Sequence, residues 1–164
     1  MIETSSSMGQ RFVIFMTFVV ALVLATMPMS FWAAAIRPDW PLLVLLYWVI
    51  ALPHRVSIGI AFILGISVDI LIGSSFGIHA GAYALVSYSA ARHYQRIRNF
   101  SLLQQSLLMA ALVAVERIIV FLIEYYLNDA QFFGQYFWPV LSSAILWPWL
   151  FLILRKVRRR FQMI

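Results

Sequence analysis

The chain has 164 residues, 63% of them hydrophobic and 11% charged, with a mean hydropathy of +0.90. Soluble domains carry about 25% charged residues, so an ordinary soluble domain is excluded and an integral membrane protein is indicated. Six spans of about 20 residues would leave about 40 positions for every loop and tail, and the absence of cysteine removes disulfides, thiol nucleophiles and cysteine-ligated metals.

In chain order, residues 12–36 carry no charge, and a first helix is expected over 12–31. The second apolar stretch lies between Arg37 and Asp39 on one side and Pro53, His54 and Arg55 on the other. Pro38 and Pro41 suit a helix start, because proline has no N–H to leave unpaired and its φ matches the first turn; a helix is expected over 38–52, ended by Pro53. From 56 to 91 the one charge is Asp69. A single helix there would be about 54 Å long, well beyond a hydrocarbon core of about 30 Å. The stretch must fold back, and Gly73-Ser74-Ser75-Phe76-Gly77 is the expected break, giving helices over 56–72 and 76–91. A basic polar loop over 92–99 leads to helices over 101–127 and 133–154. The chain then closes on Arg155-Lys156-Val157-Arg158-Arg159-Arg160. The expected architecture is all-α, one polytopic membrane domain of six transmembrane helices.

With the N-terminus inside, one membrane face receives Arg11, Arg55, Arg92, Arg96, Arg98 and the basic tail, ten of the twelve positive charges. The positive-inside rule then puts both termini in the cytoplasm. It also accounts for the net charge of +6 without nucleic acid, and the basic anchor Arg155, Lys156, Arg158, Arg159 and Arg160 meets anionic lipid. Phe31, Trp32, Trp40, Tyr125, Tyr126, Phe132, Phe133, Tyr136 and Trp138 fall at the outer interface and Tyr94 at the inner one, as an aromatic belt would. A cleaved signal peptide is the competing reading of the first helix, with Ala33 and Ala35 as its small-residue pair. The apolar run of about 20 residues exceeds the usual 7–15 of such peptides.

Charges near mid-bilayer cost at least about 2.5–3.5 kcal/mol and usually have partners inside the protein. Asp69, Glu116, Arg117 and Glu124 are the charges within the expected spans beyond Asp39 at the very start of the second. At ~1.5 Å per residue, Asp69 lies about 20 Å and Arg117 about 24 Å from the cytoplasmic ends of their helices. Asp69 and Arg117, with Glu116 competing, are therefore expected to form a buried polar cluster. Such a cluster could lock helix three to helix five, meet a partner's transmembrane helix, or relay protons or substrate. Glu124 sits close enough to the outer interface to be solvated.

The pattern Gly65-x-x-x-Asp69-x-x-x-Gly73-x-x-x-Gly77, with Ser67, Ser74 and Ser75 interleaved, puts small residues on one helix face, where another backbone can approach. It reads either as internal packing with a tight turn or as a partner groove formed by Gly65, Gly73, Ser74 and Gly77 with an acid at its base. His54, His79 and His93 have no i,i+4 partner for a zinc site. No metal, cofactor or catalytic set is expected.

Arg37-Pro38-Asp39-Trp40-Pro41, Leu45-Leu46-Tyr47-Trp48, Ala51-Leu52-Pro53-His54-Arg55-Val56, the stretch from Asp69 to Gly77, and Leu146-Trp147-Pro148-Trp149 before the basic tail together resemble the bacterial rod shape-determining family MreD, in its gammaproteobacterial branch. The resemblance covers nearly the whole chain; the first ten residues and the loop over 128–135 match poorly, and Arg117 has no counterpart carried over from it. It implies a non-enzymatic scaffold of the cell-elongation machinery in the bacterial inner membrane. MreC would be its primary partner, with the actin-like MreB, RodA and a class B penicillin-binding transpeptidase in the same complex. Pairing of two copies stays open. The fold also resembles the six-helix substrate-binding subunits of energy-coupling-factor transporters, which implies the alternative of binding a small-molecule or lipid-linked substrate.

Overall fold

A computed structural model of the chain describes residues 3–28, 30, 33, 36–128 and 134–161. Among them the chain is helical, without strands: α1 Glu3–Thr26, α2 Trp40–Ala51, α3 Ile58–Ile72, α4 Ile78–Arg92, α5 Tyr94–Asn99, α6 Leu102–Asn128, a 3-10 turn Gly134–Phe137, and α7 Trp138–Arg160. Three segments are long and apolar enough to cross a membrane, Met8–Thr26, Leu102–Leu127 and Trp138–Arg160, and α2 and α3 are shorter apolar helices.

The shortest of these apolar helices is the centre of the molecule. α2 reads WPLLVLLYWVIA, and every residue from Pro41 to Ile50 is buried. A helix that is apolar on all sides must be enclosed by others. α1 covers one side, where Trp48 Nε1 donates to Thr17 Oγ1 at 2.9 Å. α7 covers another, where Phe151 stands edge-on to Tyr47 with ring centroids 5.6 Å apart.

Helices α3 and α4 fold back on each other in close backbone contact. A Cβ on Gly65 would stand 2.4 Å from Ala80 Cα, so glycine is required for that contact. The turn joining them depends on Gly73 at φ 72° and Gly77 at φ 96°, left-handed conformations that side chains with a Cβ disfavour. The expected single face of small residues is therefore corrected: α3 ends at Ile72, Gly73 and Gly77 belong to the turn, and Gly65 is already filled by the backbone of α4.

Helices α6 and α7 pack through another local exception. Pro148 lies inside α7 and lacks the N–H that would bond the carbonyl of Ala144. Ser106 of α6 supplies the donor instead, at 2.6 Å from that oxygen.

Two expected irregular stretches are helical. The loop expected over 92–99 contains α5, whose C-terminal carbonyls at Ile97 and Phe100 receive the Gln105 carboxamide at 3.0 and 3.3 Å. The basic tail is not a separate extension, because α7 runs on through Arg160. α7 also begins at Trp138 rather than near 133, after the 3-10 turn.

The start of α1, the end of α2 and the end of α7 meet at one end of the bundle. Gln10 Nε2 donates to the Phe161 carbonyl at 3.3 Å, and Arg55 donates to Gln10 Oε1. Arg11, Arg98, Arg155 and Arg158 line cavities at this same end. The opposite end holds Arg37, whose guanidinium closes α1 by donating to the carbonyls of Ala25 and Met27. Of the aromatic belt, Tyr125, Tyr126 and Trp138 are exposed, while Phe31, Trp32, Phe132, Phe133 and the side chain of Tyr136 lie outside the described residues, as do Ala35 and Asp129.

Candidate functional site

Near the Arg37 end, carboxylates from three places in the sequence converge in one buried polar network. Asp39, Asp69 and Glu116 are 6%, 1% and 0% exposed. Burial of three acids calls for hydrogen bonds or cations at each; Asp69 and Asp39 meet this with hydrogen bonds, Glu116 with the neighbouring Arg117 guanidinium.

Asp69 is held mainly by backbone. Its Oδ2 accepts from Gly77 N at 2.9 Å and Ala80 N at 3.4 Å, and its Oδ1 from His79 N at 3.1 Å. These are donors at the start of α4, which its own turns leave unpaired, and the positive end of the helix dipole favours the carboxylate there. Ser74 Oγ donates to Oδ1 at 2.8 Å, and His79 Nδ1 stands 2.8 Å from the same oxygen. An acid in α3 thus caps α4 across a five-residue turn.

Asp39 is the N-cap of α2, accepting from Leu42 N at 3.2 Å. The Tyr83 hydroxyl of α4 donates to its Oδ1 at 2.6 Å, and Arg117 of α6 donates to its Oδ2 at 3.3 Å. Its own N–H reaches Ser143 Oγ of α7 at 3.4 Å. Four helices therefore meet on a residue that the sequence shows only as an acid two residues after Arg37. The visible cue is the local order Asp39-Trp40-Pro41, an acid directly before a helix start with proline in its first turn.

Glu116 lies between the two. Its Oε1 is 3.9 Å from His79 Nε2 and its Oε2 is 3.4 Å from Arg117 Nε, and neither oxygen has a hydrogen-bond partner among the described residues. His79 thus stands between two carboxylates, one at each ring nitrogen.

The residues expected to cluster, Asp69, Glu116 and Arg117, do share one network, but the direct Asp69–Arg117 pair is corrected. Arg117 turns to Asp39 and Glu116, and Asp69 turns to His79 and the start of α4. Depth along each helix places residues at one level without fixing azimuth, and a carboxylate already holding backbone donors has no need of a guanidinium. Of the expected groove, Ser74 is in the network, Gly77 contributes its N–H, Gly73 terminates α3 by donating to the Asp69 carbonyl at 3.0 Å, and Gly65 is packed away. Arg155, Lys156, Arg158, Arg159 and Arg160 lie at the far end of α7. The sequence offers His79 only as a histidine without a zinc partner and does not point to Tyr83; their i,i+4 spacing on α4 opposite the acid of α3 is the available cue.

Chemically, the network ties α2, α3, α4, α6 and α7 together. An imidazole with a carboxylate at each nitrogen can also take a proton on one side and release it on the other. A cavity of about 240 Å³ borders it, lined by Arg37, Asp39, His79, Tyr83 and Arg117 among others. Among the described residues, no three His, Asp or Glu side chains are grouped so as to hold a metal ion.

The chain matches the model of the family described as rod shape-determining protein MreD over residues 5–157. It is 42% identical over 154 residues to the rod shape-determining protein MreD of Haemophilus influenzae, covering 94% of this chain and 95% of that protein. No solved structure matches the chain. With a match that reaches into every helix from α1 to α7, and the acids of the buried network within it, the chain belongs to the MreD family of rod shape-determining proteins.

Proposed function

We propose that this protein is a six-helix scaffold of the cell-elongation complex in the inner membrane, with α1, α2, α3, α4, α6 and α7 crossing and both termini in the cytoplasm. The carrying observation is the polar network, which joins five helices through side chains already engaged with one another and so favours a rigid platform over a reaction centre. The meeting of Gln10 and Phe161 at the basic end supports termini on one side, and the concentration of arginine there supports that side being cytoplasmic.

In this reading MreC is the direct partner, and MreB, RodA and the class B transpeptidase are engaged through the same complex. The contact surface for MreC is the turn between α3 and α4. Phe76 is 72% exposed there, and a Cβ at Gly73 or Gly77 would meet nothing within 4 Å among the described residues. Gly65 is not part of that surface. Copurification of MreC with the wild-type chain, lost on Phe76→Glu while the variant stays folded, is the expected result. Retention of MreC by that variant would remove the turn from the interface, and normal rods after depletion of the chain would overturn the scaffold role.

The cavity beside Asp39 and His79 favours one other reading, a binder of a small or lipid-linked ligand, as the resemblance to transporter substrate-binding subunits implies. A ligand copurifying with the wild-type chain and absent from His79→Ala would select it.

A further inference from the structure

At the end of the bundle opposite the polar network, a cavity of about 220 Å³ opens among α2, α5, α6 and α7. This is far more than the ~15 Å³ one water needs. Three arginines line it, Arg98, Arg155 and Arg158, and among the described residues none of them pairs with a carboxylate. A second cavity of about 400 Å³ shares Arg98 and Arg158 and adds His54, Arg55 and Tyr94.

A basic end is ordinary in a membrane protein, and positive charge alone would not make a site. Two polar groups beneath the arginines are less easily explained. Trp147 is 0% exposed, Gln105 is 4% exposed, and both line the first cavity. Among the described residues, Trp147 Nε1, a donor, and Gln105 Oε1, an acceptor, have no hydrogen-bond partner, although buried polar groups are nearly always paired. The orientation of Gln105 is fixed, because its Nε2 is committed to the carbonyls of Ile97 and Phe100. The Tyr47 hydroxyl borders the same space, in the field of Arg155 and Arg158. The spacing of Trp147, Phe151, Arg155 and Arg158 along α7 puts them on one helix face, whereas Lys156, Arg159 and Arg160 do not line the cavity.

We propose that this cavity is a binding site for a phosphate ester that carries a free hydroxyl, with Arg98, Arg155 and Arg158 holding the phosphate, Trp147 Nε1 donating to it, and Gln105 Oε1 accepting from the hydroxyl. Guanidinium groups match phosphate oxygens in geometry and charge, and the unpaired acceptor selects a ligand that can also donate. A glycerol-phosphate headgroup has both features, whether it arrives on a lipid or as a soluble ester. The site stands apart from the polar network and does not depend on the identity of any protein partner.

The test is native mass spectrometry of the full chain in neutral detergent, titrated separately with dioleoyl phosphatidylglycerol, dioleoyl phosphatidylcholine and glycerol 3-phosphate. The wild-type chain should retain one phosphatidylglycerol or one glycerol 3-phosphate at about tenfold lower concentration than phosphatidylcholine, a difference of about 1.4 kcal/mol. Retention of the lipid that excess glycerol 3-phosphate fails to displace assigns the site to a lipid headgroup; retention of the ester without preference for the lipid assigns it to a soluble one. The triple variant Arg98→Ala, Arg155→Ala, Arg158→Ala should lose that advantage, and Trp147→Phe, which keeps the ring and deletes the donor, should weaken it several-fold. The charge-matched control Arg96→Ala, Arg159→Ala, Arg160→Ala should stay within twofold of wild type. Equal losses in the two triple variants, or no preference for either glycerol phosphate over phosphatidylcholine, would overturn the site.

Discussion

Asp69 belongs to α3, yet its carboxylate receives the first N–H groups of α4 together with Ser74 and His79. An asparagine there keeps one acceptor oxygen and loses the charge, so Asp69→Asn should cost about 1.5–3 kcal/mol, the range for hydrogen bonds to a charged group, read as a fall in the unfolding midpoint in detergent. Asp39 and Arg117 form the ion pair that crosses from the start of α2 to α6. A double-mutant cycle of Asp39→Asn with Arg117→Gln should therefore show coupling above about 0.5 kcal/mol, larger than the cycle pairing Asp69→Asn with Arg117→Gln. A larger coupling in the second cycle would restore the direct Asp69–Arg117 contact. The sequence made Asp69, Glu116 and Arg117 conspicuous because intramembrane charge is costly. It hid Asp39, which stands beside Arg37 and reads as a solvated loop charge, and His79, which looks like a lone histidine until α3 and α4 are folded together.

At the scale of helices, two departures from regular structure govern packing. Gly65 has no room for a Cβ against Ala80, and because the obstacle is backbone, Gly65→Ala should cost about 1–3 kcal/mol, as overpacking does. Gly59→Ala should be neutral or stabilising, since among the described residues its Cβ would meet only Ser57 Oγ at 3.5 Å and alanine is the better helix former by about 1 kcal/mol. Equal thermal shifts in the two variants would show that helix propensity, not the α3–α4 contact, sets the response. Pro148 frees the Ala144 carbonyl and Ser106 occupies it. Ser106→Ala should thus cost about 1–2 kcal/mol in the wild-type background and much less beside Pro148→Ala, where a restored N–H can satisfy the same oxygen. Pro148 is visible in the sequence as a helix defect; which residue repairs it is not, because Ser106 lies on another helix. The break between α3 and α4 is legible from Gly73 and Gly77, whose left-handed backbone is a local requirement. α5 is less legible, since its six residues, mostly polar or basic around the single buried Ile97, carry no strong period and its end is held by Gln105 from the next helix.

Across the whole molecule, charge divides the bundle into a basic end, where Gln10, Arg55 and Phe161 meet, and an end where three acids are buried with Arg117. If the basic end is cytoplasmic, a reporter that fluoresces only in the cytoplasm should be bright on either terminus, and a reporter active only outside it should work when inserted within 129–133. A terminus that is dark in the first experiment would refute the six-span topology. Composition, the spacing of charges and the family motifs were sufficient to determine a helical membrane protein, the order of its apolar segments and membership of the MreD family, because hydropathy, helix breakers and short motifs are properties of short stretches of chain. Tertiary structure alone decided that the shortest apolar helix is the enclosed centre, that Gly65 is consumed by internal packing, and that Asp69 serves the start of α4 while Arg117 serves Asp39. The physical reason is that one sequence position fixes a residue's depth along its own helix, whereas the partner of a buried charge depends on helix rotation and on backbone donors brought in by other helices.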